Sequence, residues 1–280
     1  MILDGKKIRD DIRERLKIEI AGKGLKPVLA ILQVGQREDS TAYIYQKKIF
    51  AEKIGVVVHH TQYGEDVNES DILRDISKLN ADQNVHGIIL QIPIPQHLDK
   101  TKLIEQIDPH KDVDGLTSTN LKKLFENDSS GLVPATTKGI LTLLDFYDIP
   151  IAGKKVVVVG RSSLVGKPTA IGLLNRDATV TVCHRHTEHL STETSQADSL
   201  IVAVGKAGLI TKQHVKPGQV VIDVGINTTN DKKMVGDTDF DTIKDSIAAI
   251  TPVPGGVGPL TVASLFENLV KSCTQFSAGV

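Results

Sequence analysis

A chain of 280 residues with a net charge of -1 has room for two ordinary domains, and it offers no basic footprint for nucleic acid or an anionic membrane. No apolar run reaches the roughly 20 residues that span a bilayer, and the charged N-terminal segment lacks the apolar centre of a secretory signal. Its two cysteines, Cys183 and Cys273, are too few for a disulfide framework or a cysteine-rich metal site, so the cytoplasm is the expected compartment.

In chain order, short β-rich apolar runs alternate with longer helical stretches. The pattern predicts a helix over 5–21, a strand over 28–34, a helix over 41–54, a strand over 56–61, a helix over 71–79 and a strand over 86–91. After them come a helix over 137–146, strands over 155–159, 179–183, 199–204, 220–224 and 248–250, and a helix over 260–273. The strands are mostly uniform in their apolar character, as strands covered on both faces are. Strand–helix alternation of this kind predicts an α/β fold with parallel sheets and right-handed crossovers. The polar segment Phe125–Gly131 near the middle reads either as a linker or as an exposed loop.

In the first half one lysine stands out. The helix preceding Gly55, with Ser40 or Asp39 as its N-cap, carries Tyr43, Lys47, Phe50 and Ile54 on one face with Ala51 beside them. Lys47 thus falls within the apolar stripe, whereas Lys48 and Lys53 fall outside it. Held there, its amine loses hydration and its pKa drops, which makes a lysine a general acid or base. Otherwise its stem packs and the amine reaches water. Gln91 ends an apolar strand just before Pro93 and Pro95, either orienting an amine or substrate or simply terminating the strand. In Lys111-Asp112-Val113-Asp114-Gly115 two carboxylates share a face if extended, suited to a metal or a cationic heterocycle; a turn explains them equally well.

The second half carries a turn that reads as a nucleotide site, though off the usual G-x-G-x-x-G spacing, or as a plain strand–turn–helix. An apolar strand, Lys155–Val159, runs into Gly160-Arg161-Ser162-Ser163-Leu164-Val165-Gly166 and then a helix. Gly160 lets backbone approach a phosphate, and free N–H groups at the helix start favour its charge. The next strand ends in His184-Arg185-His186, without the acid that holds the ribose hydroxyls of NAD. Arg161 and Arg185 could clamp a 2′-phosphate, which favours NADP, or Arg185 and its flanking histidines merely face solvent. Glycines after two later strands, Gly205 and Gly225, suit the same ligand, or ordinary turns. The segment Thr251–Pro259, with Pro254, Gly255 and Gly256 at its centre, reads as a stiff loop packed on a ligand, or as a hinge.

These motifs together resemble the bifunctional methylenetetrahydrofolate dehydrogenase/methenyltetrahydrofolate cyclohydrolase family over nearly the whole chain. The resemblance rests on Ser40-x-x-Tyr43-x-x-x-Lys47, Gln91–Pro95, Lys111–Gly115, Val159–Ser162, Val224–Asn227 and Thr251–Pro259, in that order. It implies a folate-binding domain over 1–119, completed by a helix over 260–280, and a Rossmann-like NADP-binding domain over 120–259, with the active-site cleft between them. It implies Lys47 as the shared catalytic lysine, Gln91 tuning it, Tyr43 stacking on the folate and Asp114 holding the pterin. Pro254, Gly255 and Gly256 would touch substrate; Gly160, Arg161, Ser162, Arg185 and Ile226 would hold NADP. No metal is implied. A cytoplasmic homodimer joined through the nucleotide domain, serving one-carbon metabolism and purine biosynthesis, completes the expectation. Three positions depart from the common pattern: residues 35–39 lack a Pro-Ala pair, Pro134-Ala135-Thr136-Thr137 replaces Pro-Cys-Thr-Pro, and Asn120–Leu124 lacks Gly-Arg.

Competing readings are a dehydrogenase without efficient cyclohydrolase action, an NADP oxidoreductase of another small acid, and a non-enzymatic cofactor sensor. The joint presence of Tyr43, Lys47, Gln91 and Asp114 favours the bifunctional enzyme.

Overall fold

The computed structural model describes residues 1–229 and 231–278. The elements follow one another as α1 (Gly5–Gly22), β1 (Val28–Val34), α2 (Glu38–Ile54), β2 (Val57–Tyr63), α3 (Glu69–Ala81), β3 (Gly87–Gln91), α4 (Lys100–Glu105) and α5 (Ser118–Phe125). They continue as α6 (Ala135–Phe146), β4 (Lys155–Val159), α7 (Gly166–Leu174), β5 (Thr179–Cys183), α8 (Leu190–Ser195), β6 (Ser199–Val202) and β7 (Val220–Asp223). Last come β8 (Asn227–Thr228), β9 (Met234–Val235), α9 (Phe240–Ile243), β10 (Ala249–Ile250) and α10 (Val257–Ala278). Strands 28–34, 155–159 and 179–183 fall where the apolar runs predict them. The short β8–β9 antiparallel pair carries no apolar run and was not expected from sequence. Of the expected helix over 260–280, residues 279 and 280 lie outside the described residues.

The chain divides into two compact units, each with its own parallel sheet. One comprises Asp11–Ala135 together with the chain from Val262 on; the other comprises Met1–Asp10 with Thr136–Thr261. The division falls at residue 135 where a boundary at 119 was expected, and Met1–Asp10, expected with the first domain, group with the second unit. Hydrogen bonds explain why 120–135 stays with the first sheet. Asn120 Nδ2 donates to the Pro109 carbonyl and to Asp112 Oδ2, and its Oδ1 accepts from the Leu132 N–H. Lys271 Nζ on α10 donates to the Ser129 and Gly131 carbonyls. The polar segment 125–131 is thus a tethered loop rather than a linker.

In the first unit the sheet order is β2-β1-β3. Alternation sends Ala30, Leu32, Val34, Ile88 and Leu90 to one face, where Ile72 and Ile76 of α3 and Leu103 and Ile104 of α4 cover them. The opposite face carries Gln33 and Gln91, which are register partners at the carboxyl ends of β1 and β3.

In the second unit the order is β10-β7-β6-β4-β5. From β4 the chain moves outward to β5 and then returns to β6 on the other side. This is the topological switch of a doubly wound fold, and ligands of open α/β sheets collect at its strand carboxyl ends.

Candidate active site

Lys47 lies on the buried face of α2 and is only 6% exposed, among Ile44, Phe50, Ala51 and Ile54. Phe50 stacks on Phe266 of α10 with ring centroids 5.0 Å apart, which closes the apolar wall of that face. The helix starts two or three residues earlier than its sequence cap predicts. Arg37 occupies the N-cap position without capping the helix through its side chain, and the acidic pair Glu38 and Asp39 occupies the first turn, where the helix dipole favours negative charge. Asp39 pairs with Arg37, and Ser40 is buried inside the helix with its Oγ making no hydrogen bond. Gly55 ends the helix in the left-handed conformation, φ 79°, as its sequence position predicts.

The Lys47 amine donates to Gln91 Oε1 at 2.8 Å. Gln91 Nε2 in turn donates to the Ile92 carbonyl at 2.9 Å, which turns the amide oxygen towards the lysine. Desolvation lowers the Lys47 pKa, with the Asp114 charge partly restoring it. Burial raises the Asp114 pKa, Lys47 opposing and Asp112 adding to the rise. Both groups are therefore biased towards their neutral forms. Burial also raises the Tyr43 phenol, which sits half-buried one helical turn before the lysine.

The two carboxylates of Lys111–Gly115 do not act together. Asp112 is buried and accepts from the Thr117 N–H and Oγ1, both at 2.8 Å, and from Asn120, anchoring the start of α5. The Asp114 carboxyl makes no hydrogen bond to the described residues and remains available. Lys111, also buried, donates to the carbonyls of Leu79, Asn80 and Asp82 at the end of α3.

Sequence reasoning passed over Gln33, which is buried in β1. Its Nε2 donates to Thr41 Oγ1 of α2, and its Oε1 meets His60 Nε2, whose Nδ1 faces Lys48 Nζ at 2.9 Å. This chain ties α2 to the sheet on both sides of Lys47. A lone glutamine closing the run Val28-Leu29-Ala30-Ile31-Leu32 was the available signal.

In the second unit, Gly160 follows β4 with φ 127°, and a Cβ there would lie 2.2 Å from the Ala203 carbonyl oxygen. A Cβ on Gly166 would lie 2.2 Å from the Gly160 oxygen. Only glycines allow this turn to fold so tightly over the ends of β4 and β6. Ser162 Oγ accepts from the N–H groups of Val165 and Gly166. These first helical amides are therefore already satisfied, contrary to the expectation that they stand free. Arg161 and Arg185 are both exposed, each two residues beyond the register pair Val159–Cys183 of adjacent strands. Arg185 Nε bonds to His186 Nε2, and no acidic residue follows β5 before Glu188. The tight glycine turn and the acid-free strand end fit a dinucleotide that carries a 2′-phosphate.

Ile226 is 40% exposed just after β7. The loop 252–256 is folded on itself by the Gly256 N–H to the Pro252 carbonyl, and the Gly255 carbonyl accepts from the Gly5 N–H at the start of α1. A Cβ on Gly5 would fall 1.9 Å from the Gly256 oxygen, so that glycine is what lets the two segments meet. The peptide bonds Ile92–Pro93 and Val253–Pro254 are cis.

A buried, amide-held lysine in one unit and a glycine-turn nucleotide crossing in the other define a two-unit α/β dinucleotide enzyme. The comparisons make this specific. Residues 3–114 match the family model for the tetrahydrofolate dehydrogenase/cyclohydrolase catalytic domain, and residues 134–277 match the NAD(P)-binding domain of the same family. The bifunctional protein FolD of Ligilactobacillus salivarius is 43% identical across 99% of this chain and 98% of its own. The crystal structure of the bifunctional FolD enzyme of Campylobacter jejuni is 41% identical and superposes with a TM-score of 0.95, covering 98% of this chain and 99% of that one. The Trypanosoma brucei dehydrogenase-cyclohydrolase, complexed with NADP and inhibitor, is 33% identical with a TM-score of 0.95, covering 100% of this chain and 99% of that one. This chain belongs to the tetrahydrofolate dehydrogenase/cyclohydrolase family.

Proposed function

We propose that this chain oxidises 5,10-methylenetetrahydrofolate with NADP and hydrolyses the 5,10-methenyl product to 10-formyltetrahydrofolate. The observation that carries the reading is the Lys47 amine, buried and held at 2.8 Å by an amide oxygen that is itself fixed. NADP, when bound, supplies the hydride acceptor. Gly160, Arg161, Ser162, Arg185 and Ile226 are the residues proposed to hold it, the two arginines taking the 2′-phosphate. Tyr43, Asp114 and the loop of Pro254, Gly255 and Gly256 are proposed to hold the folate.

Loss of hydride from the methylene carbon leaves a methenyl cation shared by two nitrogens. A protonated lysine beside it would repel that charge, so the desolvation that lowers the Lys47 pKa serves binding. The neutral amine then accepts a proton as water adds to the cationic carbon. Collapse of the adduct breaks one carbon–nitrogen bond, returns a proton to the departing nitrogen and releases one proton overall. Gln91 holds the amine on its line of attack. Asp114, biased towards its neutral acid, is suited to donate to a ring nitrogen or carbonyl of the pterin.

An assay with methylenetetrahydrofolate and NADP, following NADPH and the methenyl intermediate separately, tests this. NADPH formation without lasting methenyl supports one bifunctional site. Lasting methenyl leaves a dehydrogenase alone, and no NADPH sinks the reading.

The chain is further proposed to be a homodimer joined through the nucleotide unit, cytoplasmic, and a source of one-carbon units for purine biosynthesis. The free edge of β5, with Val182 40% exposed, supports the first point; sedimentation equilibrium tests it. Among the described residues no helix is long and apolar enough to cross a membrane.

A further inference from the structure

Two buried carboxylates in the second unit have no part in the chemistry above. Asp223 closes β7 and is 2% exposed; Asp237 follows β9 and is 0% exposed. Each is surrounded by donors rather than by a cation. Asp237 Oδ2 accepts from the N–H groups of Val204 at 2.7 Å and Gly205 at 3.0 Å. Its Oδ1 accepts from the Lys206 N–H at 2.8 Å and from Asn227 Nδ2 at 2.9 Å. Asp223 accepts from the N–H groups of Gly225, Asp237 and Thr238 and from Thr238 Oγ1.

Two glycines make room for the pair. A Cβ on Gly225 would lie 2.1 Å from the Asp237 carboxyl carbon, and a Cβ on Gly236 would lie 2.0 Å from Asp223 Oδ2. The two acids are therefore interlocked: Asp223 receives the backbone N–H of Asp237, and Asp237 fills the space beside Gly225. Three successive N–H groups converging on one carboxylate form an anion nest. The nest is the turn after β6, and Asn227 belongs to the segment after β7, directly following Ile226. One carboxylate thus sets the shape of two turns at the carboxyl ends of neighbouring strands.

We propose that Asp237 is a positioning residue for the dinucleotide, its carboxylate holding the 204–206 turn and the Ile226–Asn227 segment in the shape that receives the cofactor. The inference rests on the NADP reading given above. Without the carboxylate, three parallel N–H dipoles would face one another unsatisfied, and the turn would open to find water. Lys47 on α2 and Gln91 on β3 belong to the other unit, so the base and its amide partner would be untouched.

The test is Asp237→Asn, which keeps the shape but turns an amide NH2 group towards backbone donors. In ligand-free protein, hydrogen exchange at the amides of 204–206 should accelerate roughly tenfold, and the calorimetric Kd for NADP should rise by a similar factor. Hydrolysis of added methenyltetrahydrofolate, which consumes no NADP, should stay within about twofold of wild type. A folded variant with unchanged Kd overturns the inference. So does a parallel fall in cyclohydrolase activity, which would mark a merely structural role. If that variant does not fold, Asn227→Ala removes one donor and leaves the charge; a rise of roughly threefold in Kd is expected, and no rise overturns the inference. Wild type that fails to bind NADP sinks the underlying cofactor reading, an outcome separate from a wild type that binds while the variant matches it.

Discussion

Two lysines of the first unit are buried almost equally, Lys47 at 6% and Lys111 at 1% exposure, and they are built for opposite ends. Lys111 places its amine against three backbone carbonyls, at 3.0, 2.7 and 2.7 Å, which matches the three donors of an ammonium. Lys47 donates to one amide oxygen. Desolvation lowers both pKa values, but only Lys111 has a full set of acceptors to stabilise its charge. A buried charge whose hydrogen bonds are complete holds structure. One left incomplete beside an ionisable partner is free to exchange a proton.

The largest effect expected from this contrast is on Lys47→Met. The cyclohydrolase activity should fall by about a thousandfold, the scale of a lost general base, and the dehydrogenase activity should fall with it. The fold should gain about 1 kcal/mol, since an incompletely satisfied amine leaves the interior. Steady-state assays beside a denaturant melt check the two signs together; a destabilised variant would break the comparison. Lys111→Met should do the reverse. It leaves three part-buried carbonyls without their donor and should cost about 2 kcal/mol, while the enzyme that remains folded keeps its kcat.

The pH dependence sharpens the same contrast. Because the folded-state pKa of Lys47 is lowered, unfolded chains bind more protons between the folded and unfolded values. Stability should therefore rise with pH across that window, and Lys47→Met should lose this slope. The cyclohydrolase rate should rise with pH and level off below the ordinary lysine range. Gln91→Glu puts a negative charge against the amine, favours the ammonium and should move that rise to higher pH. A pH–rate profile that does not move would remove Gln91 from its tuning role.

The smallest effect belongs to the exposed arginines of the second unit. Arg185→Ala should raise the KM for NADP roughly tenfold and leave NAD nearly unchanged, with a similar loss for Arg161→Ala. Equal losses with both cofactors would show that neither arginine reads the 2′-phosphate.

Much of this was legible before folding was considered. The place of Lys47 in an apolar stripe follows from helical periodicity, and the acid-free end of β5 follows from reading three residues after a strand. What sequence could not divide was the work of like residues. Asp112 and Asp114 look equivalent two positions apart, yet Thr117 and Asn120 occupy the first and leave the second open. Ser40 reads as a cap because nothing local says that the helix begins with Glu38.

Periodicity, strand composition and glycine placement are local properties, so the sequence by itself determined the α/β class, the main strands, the buried face of α2 and the nucleotide turn. Hydrogen-bond partners are distant in the chain: Gln91 lies 44 residues from Lys47, and Asp237 lies 31 to 33 residues from the three backbone N–H groups it accepts from in the 204–206 turn. Which buried charges are satisfied, and which are left reactive, is settled only when those partners meet, and that the tertiary structure alone decided.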